Sequence, residues 1–142
     1  MSVDIFQRAD GSLGLSGSDG TATSGFVPVS FTYNVPAADL SFFVADRSYR
    51  VVGIRGAVDV AGTGGACTAQ IRKVPSGTAL ASGTVLHSGT FNLVGTANTS
   101  QTLTVSTTAS DLVIAAGDRI AFDLTGTATS ATGVVTVSLA PA

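Results

Sequence analysis

From Val27 onward the chain repeats one pattern: apolar residues at every second position over strand-length runs, then a cluster of Gly, Pro, Asn, Asp or Ser. A period of two places alternate side chains on opposite faces of an extended chain, so each run predicts a half-buried strand and each cluster a turn. Val29, Phe31, Tyr33 and Val35 share one face of the first run, with Ser30, Thr32 and Asn34 between them. Tyr49 to Ala61 predicts the clearest strand, with Val52, Ile54, Val58 and Val60 on one face and Arg55 and Asp59 on the other. Gly62-Thr63-Gly64-Gly65 reads as a turn leading into Ala66 to Val74, its expected hairpin partner, with Cys67, Ala69 and Ile71 inward and Thr68, Gln70 and Arg72 outward.

Shorter strands are expected at Thr84 to Leu86, Thr90 to Val94, Gln101 to Ser106 and Asp111 to Ile114. Ala116-Gly117-Asp118 predicts a tight turn into Arg119 to Gly126, where Ile120, Phe122 and Leu124 point one way and Arg119, Ala121 and Asp123 the other; the last strand is Gly133 to Ala140. Eight or nine short strands with no helical crossover to join parallel neighbours predict an antiparallel two-sheet sandwich. The missing Cys, Trp, Cys pattern of immunoglobulin domains turns the choice to a jelly roll. Val52, Ile54, Val58, Ile71, Leu103, Ile120, Phe122 and Val137 are the expected core.

Residues 1–27 follow a different rule. Asp10-Gly11, Gly14, Gly17, Asp19-Gly20 and Ser24-Gly25 interrupt this stretch too often for a regular element to be expected, yet Val3, Ile5, Phe6, Leu13, Leu15 and Phe26 are apolar anchors that a solvated linker does not need. The expected organisation is an extended, Gly-rich N-terminal arm over residues 1–27, docking on a partner, and a jelly-roll sandwich over residues 28–142. The fold class is therefore all-β: an antiparallel β-sandwich of jelly-roll type with an extended N-terminal arm.

Composition narrows the possible functions. The chain has 142 residues, enough for one real core, and only 11% are charged; Glu and Trp are absent. Seven cations, scattered apart from Arg47, Arg50 and Arg55 and the pair Arg72-Lys73, with a net charge of -2, give no basic face for nucleic acid. Few charges and a positive mean hydropathy suggest a surface partly covered by other chains. No run reaches the length needed to span a bilayer, so no membrane partner is expected. The N-terminal Met-Ser-Val-Asp-Ile-Phe has neither the basic region nor the apolar run of a signal peptide, which predicts synthesis in a cytoplasm without export by the general route.

Catalysis is not expected. Cys67 is the single cysteine, so no intrachain disulfide can form, and on the apolar side of a strand it reads as a small core residue. His87 is the single histidine; no nucleophile elbow stands near it, and with one distant Cys it cannot make a zinc site. The carboxylates are all Asp: Asp118 reads as turn chemistry, Asp123 as part of a solvated face, and Asp10 and Asp19 as turn residues beside Gly rather than a calcium loop. Asn98-Thr-Ser100 fits a glycosylation sequon but reads as a loop. No cofactor or metal is expected.

Leu40-Ser-Phe-Phe-Val44 raises a different question, because adjacent residues of an extended chain face opposite ways and Phe42 and Phe43 cannot both enter one core. One of them needs another cover, either the arm or a neighbouring subunit, and Arg47 and Arg50 nearby give the Arg-plus-aromatic composition of protein interfaces. Val3, Ile5, Phe6, Arg8, Leu13, Leu15, Phe42, Phe43, Arg47 and Arg50 are therefore the candidate capsid or subunit interface once the following resemblance is taken in.

The stretches Tyr49-Arg-Val-Val-Gly-Ile-Arg-Gly-Ala-Val-Asp59, Ser88-Gly-Thr-Phe-Asn-Leu93 and Leu112-Val-Ile-Ala-Ala-Gly-Asp-Arg-Ile-Ala-Phe-Asp-Leu-Thr-Gly126 resemble the jelly-roll head decoration, or cement, proteins of tailed bacteriophages. The resemblance covers residues 29–140, and its Ala-Gly-Asp-Arg turn also occurs in phage tail and fibre modules. It implies a structural virion protein, made in the host bacterial cytoplasm, that binds the major capsid protein on the outside of an assembled capsid. Such proteins are commonly trimers at three-fold positions, reach across neighbouring subunits with an N-terminal arm, and carry no catalytic residues. The alternative is a tail-fibre or glycan-binding module that recognises a host surface, against which two Tyr and no Trp offer few aromatic platforms.

Overall fold

Thr and Val are, with Ala, the commonest residues beyond the arm, and such β-branched side chains favour the pleated backbone over a helix. The computed structural model describes residues 25–35 and 39–142, together with the backbone alone of residues 3–7 and 13–17. The strands are β1 (Val3–Gln7), β2 (Leu13–Gly17), β3 (Val27–Asn34), β4 (Leu40–Val44), β5 (Tyr49–Val60) and β6 (Cys67–Val74). They continue with β7 (Thr84–Val85), β8 (Phe91–Asn92), β9 (Thr99–Leu103), β10 (Val113–Ile114), β11 (Arg119–Gly126) and β12 (Thr132–Pro141), and one 3₁₀ turn spans Leu80–Ser82.

Ten of these strands form two five-stranded antiparallel sheets among the described residues. The first runs β3-β12-β5 and then β9 and β10, which pair with successive stretches of the same β5 edge. The second runs β4-β11-β6 and then β7 and β8, which likewise share the edge of β6. Counting each split strand once gives eight positions in the orders one-eight-three-six and two-seven-four-five, which is the jelly roll. Among the described residues β1 and β2 pair only with each other, Ile5 opposite Leu15, in a separate two-stranded sheet. Regular structure thus does form in the N-terminal stretch, against expectation, with Gly14 and Gly17 inside β2, and β3 begins at Val27.

The core lies between the sheets. Ile54, Val58, Ile71, Ile120, Phe122 and Val137 are all within it, and Cys67 and Ala69 fill narrower space on β6. An aromatic stack joins the two layers: Phe31 and Tyr33 from β3 meet Phe122 from β11 at 5.3 and 5.4 Å between ring centroids, and Tyr33 meets Phe91 from β8 edge-on at 5.8 Å. Gly56 faces the same ring, since a Cβ there would stand 2.5 Å from Phe91. Asp118 makes the turn expected of it: its N–H donates to the Ala115 carbonyl at 3.0 Å and its carboxylate accepts from the Ala115 N–H, while Gly117 adopts φ of 87°.

Three expectations of strand geometry fail for stated reasons. β5 and β6 are not a hairpin: they lie in opposite sheets, and the segment between them crosses the end of the core, held by Gly62 N–H to Leu93 O at 2.9 Å and by a bridge from Thr63 to Thr129. Val52 is exposed because the ladder between β5 and β12 shifts by one residue at that point, Leu139 pairing with Val51 and Ser138 with Gly53. Inward residues therefore pass from Tyr49 and Val51 to Ile54 and Val58, and a second shift leaves Val60 exposed as well.

Candidate interaction surface

Phe42 and Phe43 are both packed against the core, contrary to the expectation that one of them needs another cover. The cause is a bulge in β4: Ile120 pairs with Phe43 and the next residue, Ala121, pairs with Ser41, so Phe42 is an extra residue and strict alternation is broken. Phe42 stacks on Phe31 at 5.4 Å and Phe43 meets Tyr49 edge-on at 5.8 Å. Arg47 lies in the β4–β5 connection and is paired with Asp46 at 3.0 Å, both side chains open to solvent. Asp46 also accepts the Tyr49 hydroxyl at 2.6 Å, and the Arg47 hydrogen bond, with that of Tyr49, holds the Asp46 carboxyl below its usual range. Arg50 is exposed on the outer side of β5. Arg8 lies outside the described residues, and of Val3, Ile5, Phe6, Leu13 and Leu15 only the backbone is described. Of the ten expected residues, side chains are thus described for Phe42, Phe43, Arg47 and Arg50 alone.

The candidates for chemistry have structural employment. His87 sits at the break between β7 and β8, where its Nε2 accepts the Ile71 N–H at 3.0 Å and Nδ1 faces the Ser88 carbonyl at 3.2 Å. The imidazole replaces the main-chain acceptor that an unbroken edge strand would supply, and burial pushes its pKa down. Burial pushes the Cys67 thiol up, away from the reactive thiolate. Tyr33 donates its hydroxyl to Ala57 O at 2.9 Å, and burial, with lesser contributions from Asp59 and Cys67, raises it to about 12. Both Tyr33 and Tyr49 lie in the core, so neither presents a ring to a sugar.

Asp123 is not on a solvated face. Its carboxylate is ion-paired with Arg72 Nε, both side chains largely covered, while Arg72 also donates to Gly83 O at 2.7 Å and Gln70 Oε1 at 2.6 Å. Arg119 reaches over the same surface to Thr78 O at 2.6 Å. Two arginines thereby tie the Pro75–Gly83 connection to the outer side of the second sheet.

The outer side of the first sheet is built differently. Small residues pave it, with Ser30 and Thr136 sharing a hydroxyl hydrogen bond at 2.7 Å. Arg50 and Arg55 stand on it without an ion pair among the described residues. Phe26, Val52 and Val113 are exposed beside them, Phe26 at 64%. Phe26, Val52, Gly53, Arg55 and Ser138 line an open groove of about 490 Å³. Phe26 appeared in the sequence only as an arm anchor and Arg55 as a polar strand position and one of three neighbouring arginines; the β5 bulge that turns Val52 outward left no compositional mark beyond Gly53.

No family model matches this chain, and no curated protein matches it. Among solved structures, a chain in the structure of the infectious bursal disease virus Gx strain matches 94% of this chain and 36% of its own length, at 13% identity and a TM-score of 0.38. A chain of the Gt strain of the same virus matches 94% of this chain and 37% of its own, at 14% identity and a TM-score of 0.29. This chain thus spans little more than a third of those viral chains, and at these scores neither likeness assigns it a function.

Proposed function

We propose that the chain is a structural virion protein that binds the outer surface of a phage capsid and stabilises it, acting as a trimer on the major capsid protein. The observation that carries this reading is the β1–β2 ladder, which pairs with itself and belongs to neither sheet of the sandwich. A two-stranded ladder is marginal by itself in water. The apolar residues the sequence places there, Val3, Ile5, Phe6, Leu13 and Leu15, gain free energy only when something covers them. On this reading the shell does so, and the arm supplies the grip while the sandwich, with its own completed core, supplies the body. The jelly-roll strand order agrees with the architecture that the decoration-protein resemblance implies, although a fold by itself does not fix a function.

The test is deletion of residues 1–25, scored on empty capsids of the virus that carries the sequence. The expected result is a melting temperature within about 3 °C of the intact chain and an affinity lowered at least about tenfold, or 1.4 kcal/mol. Sedimentation of the intact chain is expected to give the mass of a trimer. A shortened chain that melts early yet binds capsids at full strength contradicts the proposal, because the arm would then serve its own domain.

A further inference from the structure

The two outer sides of the sandwich differ in whether their arginines are already engaged. We infer that the outer face of the β3-β12-β5-β9/β10 sheet is the side the domain turns toward the shell, and that what meets it is a protein surface bearing carboxylates around small apolar groups. This rests on the decoration reading above and adds to it the contact face and the chemistry of the partner.

Charge comes first. Arg50 and Arg55 point outward from β5 on either side of the bulge at Val52, Asp59 is the only carboxylate on the outer side of that strand, and neither arginine has an ion pair among the described residues. Two guanidinium groups against one carboxylate leave this strip of the face net positive, so the surface that complements it is acidic. Two cations are too few to anchor nucleic acid by phosphate contacts. The exposed apolar residues fit the same occupant: Val52 and Phe26 line the groove beside Arg55, and Val113 stands opposite Arg50 on β10. Arginine beside aromatic and apolar side chains is the composition of a protein-binding patch.

Continuity of the chain points the same way. Phe26, which lines the groove, leads directly into β3, an edge of this sheet, so the N-terminal segment joins the sandwich at this face. On the opposite side Arg72, Asp123 and Arg119 are already engaged with one another's strands and with the Pro75–Gly83 connection, and the exposed apolar residues Leu40 and Val44 sit on the edge strand β4, away from any free cation of the sheet's middle strands. Size sets a limit on what the face can do alone. Four strands side by side and eight residues long project roughly 500 Å², below the ~800 Å² per partner of a standard stable complex. The face therefore needs a second contact, which on the decoration reading the arm supplies, so removing either is expected to weaken binding without abolishing it.

The experiment compares Arg55→Glu, Val52→Asp and, on the outer side of the second sheet, Thr125→Glu, each against intact protein for melting temperature and for binding to empty capsids. All three positions are exposed or at strand edges, and each variant is expected to melt within about 3 °C of the parent. Arg55→Glu and Val52→Asp are expected to lose at least about tenfold in capsid affinity, and the intact protein to bind more weakly as salt rises. Thr125→Glu is expected to bind as the parent does. Full-strength binding by Arg55→Glu and Val52→Asp overturns the face assignment and leaves the decoration reading standing; loss confined to Thr125→Glu does the same in favour of the other sheet. A change in self-association mass with Arg55→Glu, at unchanged capsid affinity, would make this a contact between copies. Failure of the intact chain to bind capsids removes the decoration reading itself.

Discussion

The two sheets of the sandwich share one core but treat their outer surfaces in opposite ways. On the second sheet, Arg72 is spent on Asp123, Gln70 and the Gly83 carbonyl, and Arg119 on the Thr78 carbonyl, so the cations fasten a connection of the same chain. On the first, Arg50 and Arg55 stand among Ser, Thr and exposed Val with no ion pair among the described residues. Both sets look alike in sequence, as single arginines at outward positions of strands. What separates them is the neighbour across the ladder: β11 places Asp123 opposite Gln70, two residue pairs from Arg72 and on the same face, whereas β12 offers Thr136 to Arg55.

That contrast can be broken in order of expected effect. Phe122→Ala removes a ring on which both layers depend through Phe31 and Tyr33, and should lower stability by about 3–5 kcal/mol in a urea titration. A loss under about 1 kcal/mol would mean the two sheets do not share this core. Arg72→Ala should cost roughly 1–3 kcal/mol, because it leaves the Asp123 carboxylate and a backbone carbonyl without their partner in a mostly covered site. Arg55→Ala should stay within about 0.5 kcal/mol of the parent. Equal costs for the two would erase the distinction between a closed face and an open one.

His87 gives a smaller, pH-dependent effect confined to the second sheet. Its folded pKa is depressed by burial, so the unfolded chain takes up the proton first; the stability contribution is present above the unfolded value of 6.5 and is lost as pH falls below it. One proton limits the slope to about 1.4 kcal/mol per pH unit. Melting curves between about pH 7 and pH 5 should show this decline, and His87→Gln, which keeps an acceptor for the Ile71 N–H, should flatten it. An unchanged slope in the variant would assign the decline to other groups.

Much of the fold was legible because period-two alternation survives wherever a strand is regular. Val29 to Val35, Cys67 to Ile71 and the β11 run Arg119–Gly126 all bury the residues their pattern selects, apart from Ala121, which is covered on the outer side as well. Legibility stops at bulges. One extra residue at Phe42 and one-residue shifts along β5 reverse which side chains face inward, and nothing in Leu40-Ser-Phe-Phe or Arg50-Val-Val-Gly marks where the ladder slips. Strand pairing across the two layers was equally hidden: a glycine-rich connection such as Gly62–Gly65 serves a hairpin or a crossing between sheets, and only the rest of the jelly roll decides. The candidate surface was the least legible, since it depends on Val52 turning outward beside Arg55.

A symmetric reconstruction of the assembled particle with and without the protein tests the central claim most directly. The account predicts added density for a β-sandwich on the outer surface of the capsid, grouped in threes around three-fold positions, with the β3-β12-β5 sheet toward the shell and the N-terminal segment extended over neighbouring capsid subunits. Identical shells with and without the protein, or density found only at the tail tip, would contradict it.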